Sequence, residues 1–538
     1  MSKEEDKQVE DFEQLALRKA KRAKIQELAV NSGAYGSGAY PVHVPRTTTI
    51  ETLRKEYGSL NAGEETETTV SITGRVMFVR DAGKLMFVTL QEGQGARIQA
   101  MLNAKELDIH LQVEDSDLVN GEGVALTPGA ASLKCFKRTV DLGDHISVTG
   151  RVISSKTGEL SVLTTSWVLA SKALRPLPVL HKELSDDTRA RRRYVDLITR
   201  QQARDIVRIR SNVVKSLRKN FDERLFLEIE TPMLQTIHGG AAARPFMTHI
   251  NAFDIDLYLR IAPELFLKRA VIGGIEKVFE INRNFRNEGV DSSHSPEFTM
   301  LEAYEAYSDY ISMADLTQDL IQKAALDVFG SLEVEVFDSK LKETTRYSFA
   351  SENWTRLDLY TSLSDAAQKK ITPETSLDDL IELANKVGLE KEVLSENKKL
   401  LTHGKVVELL WEELVGAHLY NPTFVMDFPL DTSPLTRNHR TKPGVVEKWD
   451  LYVRGFELAT AYSELVDPVL QRERLTKQSE LAADGDDEAM KFDEDFLEAL
   501  EYGMPPTGGM GMGIDRLLMA LTGLGIRETI AFTLVKPQ

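Results

Sequence analysis

Arg286 and Glu288 stand two residues apart in the run VFEINRNFRNEGVDSSHSPEFTMLEAY (278–304), which reads as a strand, a polar loop and a second strand. A period of two places Arg286 and Glu288 on one face of the first strand, and Phe298, Met300, Glu302 and Tyr304 on one face of the second. An arginine fork pairs with phosphate or carboxylate oxygens, and an aromatic ring gives a base a plane to stack on. Each residue alone reads better as part of a surface ion pair; together they suit a site for ATP and an amine. A second run, KWDLYVRGFELATAYSEL (448–465), turns at Arg454-Gly455 with Asp450 before the turn and Glu457 after it. Carboxylates on adjacent strands hold a hard cation such as Mg²⁺ while substrate phosphates complete its shell; an exposed cross-strand acidic pair is the alternative. Thr460, Tyr462 and Glu464 share a face beyond that turn. In a third run, TGGMGMGIDRLLMAL (507–521), Gly509, Gly511 and Gly513 alternate along a strand, and Asp515-Arg516 opens an apolar helix. Alternating glycines allow close approach of backbone or ligand. The run is neither a dinucleotide fingerprint nor a Walker loop, because the spacing differs and no Gly-Lys-Ser/Thr follows.

Elements of several kinds must carry these residues. From about 68 to 170 the pattern is of short alternating strands: TVSITGRVMFV, LMFVTLQE, ARIQAML, ISVTGRVI and ELSVLTTSWVLA. Short strands so spaced predict a small closed barrel of the OB type, a fold that commonly binds single-stranded nucleic acid. KALRPLP then reads as an extended connector, since each proline disfavours helix before it. Residues 187–225 are helical in period, and FLEIETPML (226–234) is a strand broken by Pro232. Expected boundaries are a helical extension and linker at 1–46, a barrel at 47–180 and a larger domain at 181–538, with a mainly helical insertion at about 310–420.

Composition narrows the class. At 538 residues the chain exceeds one core, and 42% hydrophobic with 28% charged residues reads as globular and soluble. One cysteine, Cys135, excludes a disulfide framework and a cysteine-rich zinc site. MSKEEDKQVEDFEQL lacks the apolar segment of a secretory signal, and no apolar run reaches the ~18 residues of a membrane span, so a cytoplasmic location is expected. A net charge of −17 argues against indiscriminate nucleic-acid binding but leaves room for a local basic face. Arg18, Lys19, Lys21, Arg22 and Lys24 offer one on an amphipathic helix over 9–30; a solvated helix face is the alternative. Residues 31–46, rich in Gly, Ser, Ala and Pro, read as a linker.

The first and third runs resemble motifs 2 and 3 of the class II aminoacyl-tRNA synthetases, and FLEIETPML resembles motif 1, the dimer-forming strand with its Pro232. IHGGAAARPF (237–246), YLRIAPELFLKRAVIGG (258–274), NFRNEG and SPEFTMLEAY narrow the likeness to the lysine-specific branch, closest to the bacterial form. The resemblance runs from the barrel to the C-terminus. It implies an α+β chain with an OB-fold barrel followed by a catalytic domain on an antiparallel sheet flanked by helices. It also implies ATP-driven activation of lysine, transfer to the 3′ end of tRNA(Lys), and a homodimer formed through motif 1.

Carried over by position, Arg286 holds the α-phosphate and the lysine carboxylate, Glu288 the adenine amino group, and His294 lies over ATP. Phe298 stacks on adenine, Arg516 reaches the γ-phosphate, and Asp450 and Glu457 ligate Mg²⁺. Glu264 takes the α-amino group beside the backbone of Gly240, while Tyr304 and Glu464 hold the ε-ammonium and Glu302 completes the acidic pocket. Thr460 and Tyr462 stand where the branch often has Asn and Phe in contact with substrate, and Asp450 where Glu is common. In the barrel, Phe87, Gln99 and Glu159 match the residues that read the central uracil of the anticodon. Glu264, Glu302 and Glu464 around one arginine disfavour an acidic amino acid as substrate. A lysyl transferase acting on a protein would lack the barrel, a lysyl-lipid synthase would need membrane helices, and an inactive paralogue would not retain Arg286, Arg516 and Glu464.

Overall fold

The computed structural model describes residues 3–31, 38–110, 113–178, 184–289, 294–338, 343–352, 354–395, 401–483 and 489–537. Residues 32–37 of the expected linker and 290–293 of the expected motif 2 loop lie outside that set. The chain divides into two compact units, Met1–Arg204 and Asp205–Gln538.

In the first unit the alternating segments form β1 (Glu65–Asp81), β2 (Leu85–Gln91), β3 (Arg97–Asn103), β4 (His145–Ser154) and β5 (Leu160–Ser171). They close into a barrel in the order β1-β2-β3-β5-β4, as the alternation predicts. Val76, Val88, Ala100, Val148 and Val162 point inward and are fully buried. Gly150 permits the close crossing of β4 and β5, because a Cβ there would lie 2.0 Å from the Leu163 carbonyl oxygen. Three helices accompany the barrel: α1 (Lys3–Asn31), α2 (Ile50–Tyr57) and α3 (Pro128–Thr139). Helix α3 was not apparent in the sequence pattern; Thr127 caps it, and its Leu133 and Phe136 join the barrel core.

Helix α1 corrects the reading of a free basic face. Arg18 is buried and donates to the carbonyls of Leu142 (3.0 Å) and Ala173 (3.2 Å). Lys21 pairs with Asp141 at 2.7 Å. These cations fasten the helix to the barrel, leaving Lys19, Arg22 and Lys24 on the exposed side.

The long helical stretch over 187–225 is broken into α4 (Asp186–Arg191), α5 (Arg193–Thr199) and α6 (Gln201–Glu223). Asp196, wholly buried, explains the breaks: it accepts from Arg193 at 2.9 Å and from Arg200 at 2.7 Å, drawing both junctions inward.

The second unit is organised on an 8-stranded sheet in the order β14-β15-β16-β17-β18-β11-β10-β6. Its strands are β6 (Leu227–Glu228), β10 (Lys277–Phe285), β11 (Glu297–Ala306), β14 (Thr355–Asp358), β15 (Thr423–Pro429), β16 (Val445–Val453), β17 (Phe456–Ser463) and β18 (Thr507–Gly513). Pairing is antiparallel except at β10·β6 and β14·β15. Between β6 and β10 lie β7 (Leu234–Gln235), β8 (Met247–Ile250) and β9 (Ile255–Leu259), which form a small sheet, then helix α7 (Glu264–Ile272). The strand expected at 226–234 survives only as β6 and β7, interrupted around Pro232.

Helix α8 (Tyr310–Phe329) and the hairpin β12 (Glu333–Asp338), β13 (Glu343–Ser348) precede β14. Helices α9 (Leu359–Ala367), α10 (Leu377–Lys386), α11 (Glu390–Ser395) and α12 (His403–Leu414) complete the segment 310–420. That segment is not set apart from the sheet: α8 packs in the main core and β14 extends the sheet edge. The remaining helices are α13 (Pro468–Ala483), α14 (Glu494–Glu501), α15 (Ile514–Thr522) and α16 (Ile526–Thr529).

One face of the sheet is apolar. Phe279, Leu301, Ala303, Met510, Met512 and Trp449 are buried there in one cluster with residues of α6, α8 and α15. Each large side chain so buried stabilises the fold by roughly 2–3 kcal/mol. The opposite face is packed by helices at its two ends. Helices α7, α13 and α14 pack near Val278 and Tyr304, and α9, α10 and α12 pack near Val446 and Tyr452. Between them lies a polar stretch of the sheet, the floor of the candidate site.

Candidate active site

Register fixes what lines that floor, because residues directly opposed in antiparallel strands share a face. Across the sheet, Glu280 opposes Glu302, Glu302 opposes Gly511, Gly511 opposes Thr460, and Thr460 opposes Asp450. The neighbouring row runs Val278, Tyr304, Gly509, Tyr462 and Lys448. Toward the end of the hairpin the floor continues with Asn282 beside Met300, and Asn284 beside Phe298. The alternating glycines of β18 thus sit at the centre. A Cβ on Gly509 would lie 2.0 Å from Glu464 Oε1 and 2.6 Å from Tyr304 Cε1, so a side chain there would occupy the space that those groups use.

The acidic residues expected of an amino-acid pocket converge at this point. Glu264, first residue of α7, is buried and has Gly240 against it, where φ is +87° and an added Cβ would meet Glu264 Cβ at 3.1 Å. Glu302, Tyr304 and Glu464 are buried with it. Tyr304 donates to Glu302 Oε2 at 3.4 Å. Burial, with Glu264 adding to it, pushes Glu302 up to about 8. Burial likewise raises Glu464 to about 8, against the opposing pull of Lys268. Tyr304 and Tyr462 are raised by burial and by the surrounding carboxylates, and so remain neutral donors.

Two cations were not singled out in the sequence. Lys268, one helical turn after Glu264, is wholly buried and lies 2.6 Å from Glu264 Oε1 and 2.5 Å from Glu464 Oε2. Burial would lower its pKa, but Glu264 and Glu464 outweigh that and raise it, so the ammonium form holds. Arg260, also buried, neutralises Glu280 at 2.8 Å. A lysine four residues after a glutamate in the apolar setting LFLKRAVI is a signal that sequence reading could have used.

The phosphate side of the cleft departs in one respect from expectation. Strand β10 ends at Phe285, so Arg286 and Glu288 are not both on a strand. Arg286 still pairs with Pro296 through its backbone at 3.0 Å, whereas Asn287 bonds Arg244 and Glu288 is exposed in the loop, as is His294. Arg286 lies over the Phe298 ring at 5.1 Å, and its Nε is buried without a hydrogen-bond partner. The buried amides of Asn282 and Asn284 retain unpaired polar atoms on this floor.

Arg516 is held at the far end, donating to the Glu457 carbonyl at 2.7 Å. Asp515 beside it is buried and accepts from Thr299 N at 2.8 Å and from Arg210 at 2.5 Å, tying α15 to the start of β11. The Arg210–Asp515 contact, distant in sequence, was not foreseen.

Arg454-Gly455 forms the anticipated turn, with φ of +54° and +73°. It brings Asp450 and Glu457 to neighbouring strands. Asp450 Oδ1 is buried without a hydrogen-bond partner, and burial raises its carboxyl to about 7 although Lys448 lies 3.1 Å from Oδ2. An orphaned carboxylate oxygen beside a half-exposed glutamate fits a hard cation that takes its other ligands from phosphates. Among the described residues no cluster of three or more His, Cys, Asp or Glu forms a protein-only metal site. Thr460 turns its hydroxyl to the Trp449 carbonyl at 3.3 Å.

In the barrel, Phe87 and Gln99 lie on one outward face, with Gln99 donating to Ser161 at 3.0 Å. Glu159 pairs with Arg54 at 2.9 Å. Arg80 covers the Phe87 ring at 4.4 Å, and the exposed ring of Phe78 belongs to the same face; neither was anticipated.

Comparison with known proteins gives the family. Residues 185–536 match the family described as tRNA synthetases class II (D, K and N), and residues 70–170 match the OB-fold nucleic acid binding domain. The chain is 58% identical over 534 residues to a lysine--tRNA ligase of Kineococcus radiotolerans, covering 99% of each. Identity is 54% over 524 residues to the lysine--tRNA ligase of Mycolicibacterium gilvum, covering 97% of each. A lysylphosphatidylglycerol biosynthesis bifunctional protein of Nocardia farcinica is 46% identical over 508 residues, but the match takes in only 42% of that protein. Among the described residues no helix is long and apolar enough to cross a membrane.

Proposed function

The chain belongs to the lysine--tRNA ligases, class II aminoacyl-tRNA synthetases, and from that premise we propose how its site recognises and activates lysine. It is a ligase that uses ATP to make lysyl-adenylate and transfers the lysyl group to tRNA(Lys) for translation. The observation that carries the assignment of the pocket is the convergence of Glu264, Glu302 and Glu464, all buried, on one face beside Arg286.

Glu264 with the backbone of Gly240 receives the α-amino group, and Glu464 with Tyr304 receives the ε-ammonium. Tyr462 lines the aliphatic stem, and Thr460, its hydroxyl already engaged, contributes less to the substrate carboxylate than an asparagine would. Arg286 binds both the carboxylate and the α-phosphate, Phe298 stacks on adenine, Glu288 and His294 close over the nucleotide, and Arg516 meets the γ-phosphate. Asp450 and Glu457 hold Mg²⁺, which neutralises charge on the phosphates when bound. Lysine's carboxylate oxygen attacks the α-phosphorus, the bond to the bridging oxygen breaks and pyrophosphate leaves. The terminal ribose 3′-hydroxyl then attacks the activated carbonyl and AMP leaves. No protein nucleophile takes part; orientation and charge neutralisation supply the catalysis.

Phe87, Gln99 and Glu159 read the central anticodon base by stacking and hydrogen bonding. Exposed Leu225, Leu227, Met233, Leu234, Met247 and Phe253 around motif 1 support a homodimer that covers them. A cytoplasmic location accords with a translation enzyme. Charging of a tRNA(Lys) transcript with labelled lysine tests the reading: lysine is incorporated, and a transcript with its central anticodon base changed is charged poorly. Failure to charge either transcript overturns it.

A further inference from the structure

Three buried carboxylates, Glu264, Glu302 and Glu464, meet a single internal ammonium, that of Lys268, while Glu280 is already neutralised by Arg260. With all three carboxylates ionised the pocket lacks two positive charges, the number that lysine's two ammonium groups supply, and Arg286 remains for the lysine carboxylate. Lys268 spans the two carboxylates assigned to those two ammonium groups, touching one oxygen of each. Glu464 Oε1 is left buried without a hydrogen-bond partner and with room over Gly509.

We propose that Lys268 is a specificity-determining positioning residue, whose buried ammonium fixes Glu264 and Glu464 for lysine's two ammonium groups. The inference rests on the lysine pocket proposed above. It acts through the carboxylates: Lys268 shares one oxygen of Glu264 and of Glu464, and the substrate takes those that remain. Removing a buried partner leaves an uncompensated carboxylate, which is far costlier than loss of a surface pair. The charged and titratable groups facing this cluster are Glu302 and Tyr304 from β11, Glu280 from β10, Tyr462 from β17, Asp450 from β16, and Arg286 and Arg260. Arg260 is already paired with Glu280 at 2.8 Å and Arg286 serves the substrate carboxylate, so neither replaces the ammonium of Lys268.

The test is Lys268→Met in the full-length enzyme, followed by lysine-dependent ATP–pyrophosphate exchange from pH 6 to 9. The expected result is a KM for lysine raised by about a hundredfold, a KM for ATP within about twofold, and an acid limb of kcat/KM for lysine moved up by about one pH unit. Equal changes in both KM values with an unmoved acid limb overturn the proposal. Should Lys268→Met fail to fold, the wild-type enzyme decides. Calorimetry at pH 7 in buffers of different ionisation enthalpy is expected to show release of about one proton or more per lysine bound, as Glu302 and Glu464 ionise; no release overturns the charge balance. Absence of lysine-dependent exchange in the wild-type enzyme would instead remove the pocket assignment itself.

Discussion

The barrel and the catalytic sheet each offer a strand face to a ligand, with opposite chemistry. On the sheet the groups are buried: Glu264, Glu302 and Glu464 are raised by burial, and Lys268 is raised by Glu264 and Glu464 against the effect of burial. On the barrel the face is open; Phe78 is exposed, Phe87 is half-buried under Arg80, and Glu159 pairs with Arg54 at the surface. A buried carboxylate that loses its partner costs several kcal/mol, whereas an exposed pair is worth at most about one. The sheet should therefore respond to single changes steeply and with pH, and the barrel gently and without pH dependence.

The steepest response belongs to Arg286, whose charge serves both substrate carboxylate and phosphate. Arg286→Ala is expected to lower kcat for lysine-dependent pyrophosphate exchange by roughly a thousandfold, with folding intact by circular dichroism. A loss of only a few fold would detach it from the reacting phosphate.

Glu464→Gln comes next: the KM for lysine should rise by about a hundredfold while that for ATP stays nearly constant. Parallel increases in steady-state KM would remove Glu464 from the ammonium contact.

The third difference is pH. Burial, and then Glu264, push Glu302 up to about 8. Lysine requires the ionised carboxylate, so below that value binding must expel a proton, and kcat/KM for lysine should rise about tenfold or more from pH 6 to 7 before levelling near 8. Glu302→Gln should make that limb shallower, leaving the part set by Glu464, which burial also raises to about 8. Stability takes the opposite sign: the folded state keeps a proton that the unfolded chain releases, so this group makes the fold less stable as pH rises from 4.5 to about 8. A pH profile unchanged by the substitution would show that another group sets the limb.

The smallest effect is expected on the barrel. Phe87→Ala should raise the KM for tRNA about tenfold through one lost stacking contact, with tRNA-independent exchange unchanged. A large effect on exchange would break the contrast between the two faces.

Much of this architecture was legible from pattern. Barrel strands announce themselves by alternation because one side of each is buried, and the Arg454-Gly455 turn by a glycine between two strand patterns, which then adopts a positive φ. The glycines of β18 mark a floor that must stay open for Glu464 and Tyr304. What escaped depends on contacts distant in sequence. Lys268 follows Glu264 at a spacing that commonly denotes a surface helix pair, and only the fold brings Glu464 to its other side. Asp515 reads as an ordinary first-turn acid until Arg210 and Thr299 meet it. Glu288 was assigned to a strand because alternation does not show where β10 stops at Phe285. The breaks at Arg192 and Arg200 depend on Asp196 being drawn into the interior, which helical period does not reveal.

The central claim, that a buried triad of carboxylates selects an amino acid with two ammonium groups, is tested most directly by ATP–pyrophosphate exchange with each of the twenty amino acids. Lysine alone should stimulate exchange strongly, with neutral and acidic amino acids near background. Stimulation by aspartate or asparagine, or equal stimulation by lysine and a neutral amino acid of similar length, would contradict it.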